Sequence, residues 1–239
     1  MNRNTYMIYF IFFLILFFLV SGNYIIKISM DKRISSKDVY IKEKPQSYTV
    51  HIEVDRKQLK LIDRKNEEIV KSYPIATGKI SSPTPLGTFK IVEKAKWGEG
   101  FGTRWMGINV PWGIYGIHGT NRPGSIGGNL SAGCIRMRNE DVEELYSLVD
   151  YNTLVLITNG IYGPMGQGYR ELRPGDRGAD VLEVQKRLKQ NGYYDGGLDG
   201  IYGEGMKTAL IKHLKDNNIS LTDRITANIY ESLGIVLME

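Results

Sequence analysis

The chain has 239 residues, one cysteine and a formal net charge of +5 at pH 7. A single cysteine excludes an internal disulfide framework, and scattered basic residues without interleaved aromatics argue against a nucleic-acid-binding protein. The positive excess lies in residues 1–159, where 21 Lys and Arg face 15 Asp and Glu. A positive excess favours binding to an anionic surface such as membrane lipid or wall polymer. An excess of this size can equally well do no more than keep the domain soluble.

The N-terminal segment is the most apolar part of the chain. Residues 6–26 are apolar and aromatic apart from a short polar break, and about 20 such residues are needed to cross a bilayer core. We therefore predict a transmembrane anchor in residues 1–26, followed by a lysine-rich linker in residues 27–46. A cleaved secretory signal is the alternative, although no Ala-x-Ala site follows the apolar run.

Residues 47–159 have the pattern of a β-rich domain. Val50, Ile52 and Val54 alternate with polar residues, which is the period of a β-strand. Further strands are predicted near residues 59–61, 69–76, 88–92, 105–110, 114–117 and 154–158. Short strands separated by Gly, Pro and Ser clusters indicate an antiparallel sandwich or barrel. One amphipathic helix is predicted to follow, with Asn139 as its N-cap.

The last part of the chain has a helical pattern. Residues 160–170 form a glycine-rich linker, and three short amphipathic helices are predicted in residues 171–239. The first is predicted to be capped by Asp180, which opens a capping-box pattern. The other two are predicted to begin near Met206 and Thr226. These segments indicate a small all-α three-helix bundle.

The single cysteine lies in a segment suited to nucleophilic chemistry. Cys134 occurs in residues 131–137 (SAGCIRM), and His118 lies 16 residues upstream in residues 118–121 (HGTN). A histidine within hydrogen-bond reach can take the thiol proton and form a thiolate–imidazolium pair, which attacks a carbonyl and leaves a thioester. From the residues alone, a buried structural cysteine and an ordinary loop histidine remain an equal alternative.

The residues around Cys134 fit the same chemistry. Gly133 can adopt a tight turn that exposes the sulfur and lets backbone N–H groups face a developing oxyanion. Arg136 carries a planar guanidinium that matches a carboxylate, either of a substrate or of an acidic side chain. No cofactor or metal is expected, because His51, His118 and His213 lack the compact spacing of zinc ligands.

These segments resemble the signature of the YkuD-type L,D-transpeptidases. Residues 76–79 (ATGK) and 84–89 (TPLGTF) match the family upstream, so that the resemblance covers about residues 47–159. It implies a mainly-β sandwich and an enzyme that acts on peptidoglycan stem peptides. The cysteine would attack the L-centre carbonyl of the third stem residue and release D-Ala. An amine of a second stem would then take the acyl group, giving a third-to-third cross-link.

The resemblance also implies roles for particular residues. Cys134 would be the nucleophile and His118 its base, oriented by the backbone carbonyl of Gly119. The N–H groups of Gly133 and Cys134 would stabilise the oxyanion. Support of the loop is expected from Gly133, Gly119, Ser131 and Arg136, and substrate contacts from Thr120, Asn121 and Arg136. Ala132 departs from the histidine found in many members, but this change is not expected to disable a base carried by His118.

The C-terminal segment resembles a second known domain. Residues 172–178 (LRPGDRG), 191–194 (NGYY) and 199–203 (DGIYG) are similar to a three-helix peptidoglycan-binding domain, although residues 212–214 (KHL) depart from its usual second helix. The resemblance implies binding of wall peptidoglycan, including its glycan. A small bundle that packs on the catalytic domain without wall affinity is the alternative.

Together these features predict an extracytoplasmic L,D-transpeptidase that is anchored in the membrane and faces the cell wall, or is secreted if the N-terminal segment is cleaved. An L,D-carboxypeptidase that uses water as the acceptor shares the same acyl-enzyme and is the nearest alternative. A catalytically silent wall-binding protein is the alternative from another class, and the presence of both Cys134 and His118 argues against it.

Overall fold

A computed structural model of the chain describes residues 47–96 and 98–237. The predicted anchor at 1–26 and the linker at 27–46 lie outside the described residues. Within the described ranges, every helix is too short or too polar to cross a membrane.

The first part of the described chain is built on β-strands. They are β1 (Tyr48–Glu53), β2 (Gln58–Asp63), β3 (Ile69–Pro74), β4 (Thr77–Gly78), β5 (Gly87–Lys96), β6 (Arg104–Ile108), β7 (Tyr115–His118), β8 (Asn129–Ser131), β9 (Ile135–Arg136) and β10 (Leu154–Thr158). Eight of them form one sheet in the order β3-β2-β1-β10-β5-β6-β7-β9, and β4 pairs with β8. Helix α1 (Asn139–Leu148) connects β9 to β10.

The sheet is mixed, so the prediction of a purely antiparallel arrangement was wrong. Strand β1 runs parallel to β10, and β7 runs parallel to β9. Parallel neighbours need a crossover rather than a hairpin. Here α1 carries the chain from the β9 edge back to the middle of the sheet, where β10 lies between β1 and β5. Hydrophobic periodicity locates strands in a sequence, but it does not show which strands pair or in which direction they run.

The core of the β-rich region follows the predicted alternation. Val50 and Ile52 on β1 and Leu59 and Leu61 on β2 are fully buried. Helix α1 adds buried apolar residues, among them Leu145, to the same cluster. Full burial of such a side chain is worth about 1.5–3 kcal/mol, so this shared face holds the sheet and helix together.

The second part of the described chain contains three helices, α2 (Ala179–Gln190), α3 (Glu204–Asp216) and α4 (Ala227–Ser232). Their apolar faces form a separate cluster, whose largest fully buried side chains are Tyr202 and Tyr230. The helical region and the β-rich region are therefore both present as predicted. The exact boundaries at 159/160 and 170/171 stay a prediction.

Two of the predicted N-caps were wrong. Arg138 occupies the N-cap position of helix α1 without a side-chain cap, and the Asn139 side chain accepts a hydrogen bond from the N–H of Thr103 at 3.3 Å. Gly178 occupies the N-cap position of helix α2, and the carboxylate of Asp180 binds Arg170 and also accepts the N–H of Val181 at 2.9 Å. A partner outside the helix thus takes the Asn139 side chain, and the Asp180 carboxylate is shared between such a partner and its own first turn.

The helical region packs directly on the β-rich region. Ala179, Leu182 and Ile201 contact the core cluster of the β-rich region. Gly200 has a φ of +68° and lies against the ring of Trp112, so closely that a Cβ at this position would overlap the ring. The two regions therefore share an interface next to the loop that follows β6.

Candidate active site

Cys134 lies in a tight turn between β8 and β9, and a single serine closes this turn. The Ser131 hydroxyl donates a hydrogen bond to the Cys134 carbonyl at 2.6 Å and accepts one from the Gly133 N–H at 3.0 Å. Ser131 is almost fully buried, whereas Cys134 remains partly accessible. The buried Ser131 hydroxyl thus fixes the backbone of the turn, and Cys134 is only partly buried.

Only glycine fits the position before the cysteine. Gly133 has a φ of +113°, which L side chains rarely adopt, and a Cβ there would lie 2.5 Å from Cε1 of Tyr115. From the other side, a Cβ on Gly78 would come within 2.9 Å of the Gly133 Cα. The Gly78 N–H donates to the buried hydroxyl of Thr84 at 2.9 Å. The segments of the 76–79 and 84–89 motifs therefore support the cysteine turn.

His118 is the last residue of β7 and is buried. Its Nδ1 lies 2.6 Å from the carbonyl oxygen of Gly119. A carbonyl can only accept, so Nδ1 carries the proton, and Nε2 of the neutral ring is left with the lone pair. The rings of Phe101 and Trp105 pack against the imidazole at centroid distances of 5.0 and 5.9 Å. The ring is thereby fixed in orientation and tautomer.

Strand pairing brings the cysteine turn next to the strand that carries His118. In the parallel pair β7/β9, Ile117 lies opposite Ile135 and His118 opposite Arg136. Side chains alternate along a strand, and both isoleucines are buried on one face. His118 and Arg136 therefore face the other side, and Cys134 directly precedes β9.

The electrostatic environment favours the neutral forms of both groups. Burial raises the pKa of the Cys134 thiol, and a backbone hydrogen bond from Gly116 and the charge of Arg136 only partly oppose this. Burial also lowers the pKa of His118, although its hydrogen bond with Gly119 works in the other direction. These pKa directions work against a thiolate–imidazolium pair before substrate binds, whereas the sequence analysis expected that His118 can form such a pair by taking the thiol proton.

Arg136 adds a positive charge beside these two groups. Its backbone N–H and C=O are both bound by Ala76 at 2.9 Å, which fixes the strand that carries it. Among the described residues, no carboxylate lies within ion-pair distance of its guanidinium. The charge is thus available to an anionic group of a ligand.

Of the remaining residues noted in the sequence, some hold the backbone of their own loop and others are exposed to solvent. The hydroxyl of the buried Thr120 accepts the N–H of Arg122 at 3.1 Å and so holds its own loop. Asn121 is exposed in the same loop, as is Ala132 in the cysteine turn. The N–H of Gly133 is occupied by Ser131. Within the described part of the chain, the N–H of Cys134 has no acceptor. It is therefore the backbone N–H of this turn that could donate to an oxyanion.

Several neighbours of the site were not singled out from the sequence. Phe101 and Trp105 enclose His118, and Tyr115 packs against Gly133. Trp105 lies directly opposite His118 in the β6/β7 pair, a register that the local sequence pattern does not reveal. No group of three His, Cys, Asp or Glu side chains that could hold a metal ion occurs in the described residues.

Comparisons with known proteins identify two domains in the chain. A sequence profile of the YkuD L,D-transpeptidase catalytic domain matches residues 47–157, and a profile of a peptidoglycan-binding domain matches residues 177–223. The YkuD protein of Bacillus subtilis, named as an L,D-transpeptidase, is 42% identical over 126 residues, covering 52% of this chain and 76% of its own length. The corresponding protein of Bacillus licheniformis is 46% identical over 112 residues, covering 46% and 66%.

Solved structures of the same class are also similar. The catalytic domain of the Enterococcus faecium L,D-transpeptidase is 24% identical, with a TM-score of 0.40, and the match covers 46% of this chain and 95% of that domain. The sequence alignments with the two Bacillus proteins cover about two thirds and three quarters of the lengths of those relatives. The sequence match to the Bacillus subtilis protein, 42% identical over 76% of its length, shows that the chain belongs to the YkuD family of L,D-transpeptidases.

Proposed function

We propose that the protein cross-links peptidoglycan at the cell wall by cysteine acyl transfer, with Cys134 as the nucleophile and His118 as the base. The observation that carries the proposal is the state of His118. Its Nδ1 donates to the Gly119 carbonyl, and its strand pairs with β9, which begins directly after Cys134. The lone pair on Nε2 would then take the proton of the cysteine.

The first half-reaction follows from the neutral state of the pair. The Cys134 thiol passes its proton to Nε2 of His118 as the sulfur attacks the carbonyl carbon of the third stem residue. The oxyanion of the tetrahedral intermediate accepts a hydrogen bond from the Cys134 N–H. The imidazolium then protonates the amine of the leaving D-Ala as the C–N bond breaks, and a thioester remains on the enzyme.

In the second half-reaction an amine of another stem attacks the thioester. His118 takes a proton from this amine, a new amide forms, and the sulfur leaves and regains its proton. The cross-link then joins two third-position residues. Arg136 is positioned to hold a carboxylate of one of the stems during both steps.

The C-terminal helical region, which we take as residues 171–239, would bind the wall polymer that contains these stems. Its match to a peptidoglycan-binding domain supports this role. The proposed place of action is therefore the cell wall, with the catalytic region at 47–159.

The test is incubation of the purified protein with a defined disaccharide-tetrapeptide, followed by intact-mass spectrometry and analysis of the products. We expect an adduct on Cys134 that has lost D-Ala, followed by third-to-third dimers. Cys134→Ala should form neither. Dimers formed equally well by this variant would refute the proposal, and shortened monomers without dimers would identify water as the acceptor.

A further inference from the structure

A cavity lies at the interface between the β-rich region and the helical region, beside the cysteine turn. It has a volume of about 190 Å³. The β-rich side contributes Pro83, Trp112 and Tyr115, and the helical side contributes Arg170, Arg177 and Asp180. Both regions therefore form its walls.

The cavity borders the turn that carries the nucleophile. Tyr115 lines the cavity and also packs against Gly133, the residue before Cys134. Pro83, another wall residue, has its carbonyl oxygen 3.1 Å from the position of a Cβ on Gly133. A ligand in the cavity would thus be separated from the cysteine turn only by the Tyr115 ring and the 83–86 turn.

The charges on the helical side of the cavity do not cancel. Arg170 binds both oxygens of Asp180, at 2.8 and 3.1 Å, so these two residues neutralise each other. Arg177 lines the same cavity, and no carboxylate in the described ranges lies within ion-pair distance of it. Its charge also acts on the Tyr115 phenol, whose pKa it lowers against the larger effect of burial. One guanidinium in this wall is therefore available to a ligand.

We propose that Arg177 binds a carboxylate of the peptide stem in this cavity, so that the helical region supplies a substrate-binding residue to the catalytic site. This inference rests on the proposed function, since it takes the stem as the ligand. Peptide stems carry several free carboxylates, and a guanidinium binds such a group through two parallel hydrogen bonds. The helical region is then part of the site as well as a wall-binding module.

The first experiment needs no natural substrate. The rate of alkylation of Cys134 is measured with iodoacetate, an anion, and with iodoacetamide, its neutral counterpart, and the ratio of the two rates is compared. Arg177→Ala should lower this ratio about two- to fivefold, because a cation that attracts the anion has been removed. Arg173→Ala is the matched control, since Arg173 is exposed in the same region and does not line the cavity. The difference should vanish in 1 M salt.

The second experiment uses the disaccharide-tetrapeptide. Arg177→Ala should raise the KM for acylation of Cys134 about three- to tenfold with little change in kcat, and Arg177→Lys should restore part of the affinity. Amidation of the stem carboxylates should abolish the difference between the wild-type protein and Arg177→Ala.

The two possible failures can be distinguished. An alkylation ratio that Arg177→Ala leaves unchanged, or that Arg173→Ala lowers equally, would overturn the anion site whatever the tetrapeptide does. A lowered ratio combined with an unchanged KM would overturn the stem as its ligand. A wild-type protein that forms no acyl adduct with the tetrapeptide would instead refute the proposed function.

Discussion

His118 and Cys134 are held in an environment that disfavours charge on either of them. Burial raises the pKa of the thiol and lowers the pKa of the imidazole. Both shifts favour the neutral thiol and the neutral imidazole, and in the proposed mechanism proton transfer therefore accompanies attack on the substrate. The neighbouring charge of Arg136 favours the thiolate but also disfavours the imidazolium, so it does not create an ion pair.

This state predicts a characteristic pH dependence of alkylation. A raised pKa means that the thiolate fraction keeps increasing as the pH rises past 9, the ordinary value for the thiol. We expect the rate of Cys134 alkylation by iodoacetamide to increase through pH 9 without a plateau at neutral pH. His118→Ala should change this profile little, yet it should slow acylation by the tetrapeptide about 10²–10⁴-fold. A plateau between pH 6 and 8 that disappears in His118→Ala would show a preformed thiolate–imidazolium pair.

Ser131 is the second residue with a testable role. Ser131→Ala removes both hydrogen bonds that close the cysteine turn and leaves the N–H of Gly133 and the carbonyl of Cys134 without a partner. We expect a loss of about 2–4 kcal/mol in the free energy of unfolding, together with slower acylation. Urea denaturation measures the first effect and adduct formation the second.

Ser125→Ala is the matched control for that loss. Ser125 is also buried, but its hydroxyl makes one hydrogen bond, to the carbonyl of Arg122 at 2.7 Å. Ser125→Ala should lower the free energy of unfolding by about 1 kcal/mol and leave acylation unchanged. If the two variants lost equal stability and activity, the role assigned to Ser131 would be wrong.

At the level of elements, the contact between Gly200 and Trp112 determines how the loop between α2 and α3 meets the β-rich region. Gly200→Ala introduces a Cβ at a φ of +68° and overlaps the Trp112 ring. Gly192→Ala is the matched control, since its φ is +78° and a Cβ there meets nothing within 4 Å. We expect Gly192→Ala to lower the free energy of unfolding by about 1–2 kcal/mol through backbone strain alone.

Gly200→Ala should cost about 1–3 kcal/mol more than this control, because overlap with a packed ring adds to the strain. Urea denaturation followed by tryptophan fluorescence measures both variants. Since the interface also forms the cavity, the iodoacetate-to-iodoacetamide ratio should fall in Gly200→Ala and not in Gly192→Ala. Equal stabilities of the two variants would contradict direct packing of Gly200 on Trp112.

The elements themselves could be predicted from local patterns, but their relations could not. The alternation of Val50 and Ile52 with polar neighbours predicted a strand because side-chain direction depends only on position along that strand. The parallel partner of that strand, β10, lies about 100 residues away and leaves no local trace. Likewise, Asp180 was predicted to cap its helix because its tertiary partner Arg170 could not be seen from the sequence.

The candidate site shows the same division. Cys134 and His118 could be singled out from the sequence because their residue types and motifs indicate chemistry. Tyr115 and Arg177 could not be singled out in this way. A strand tyrosine and a loop arginine are common, and these two gain importance only because they line a cavity where two regions meet. Ala132, the departure from the family motif, is exposed, and the proposed base is His118, so the expectation that this change does not disable catalysis stays a prediction.

At the level of the whole molecule, the helical region packs on the β-rich region, and under the proposal above this packing would connect wall binding to catalysis. The described part of the chain from Ser47 onward falls within one compact unit. A stem held by residues of both regions gains its binding energy only while they are docked, so the stem must in turn stabilise docking. This reciprocity distinguishes a composite site from two modules that act independently.

Hydrogen–deuterium exchange of the full chain can detect this coupling. In Cys134→Ala saturated with the tetrapeptide, we expect slower exchange at residues 115–137 around the cysteine turn and also at residues 176–182 and 199–202 in the helical region. Adding Arg177→Ala should remove the protection of the two helical segments at equal saturation, whereas adding Arg173→Ala should retain it. Protection confined to residues 115–137 would mean that the stem contacts only the β-rich region and that docking makes no contribution to binding it.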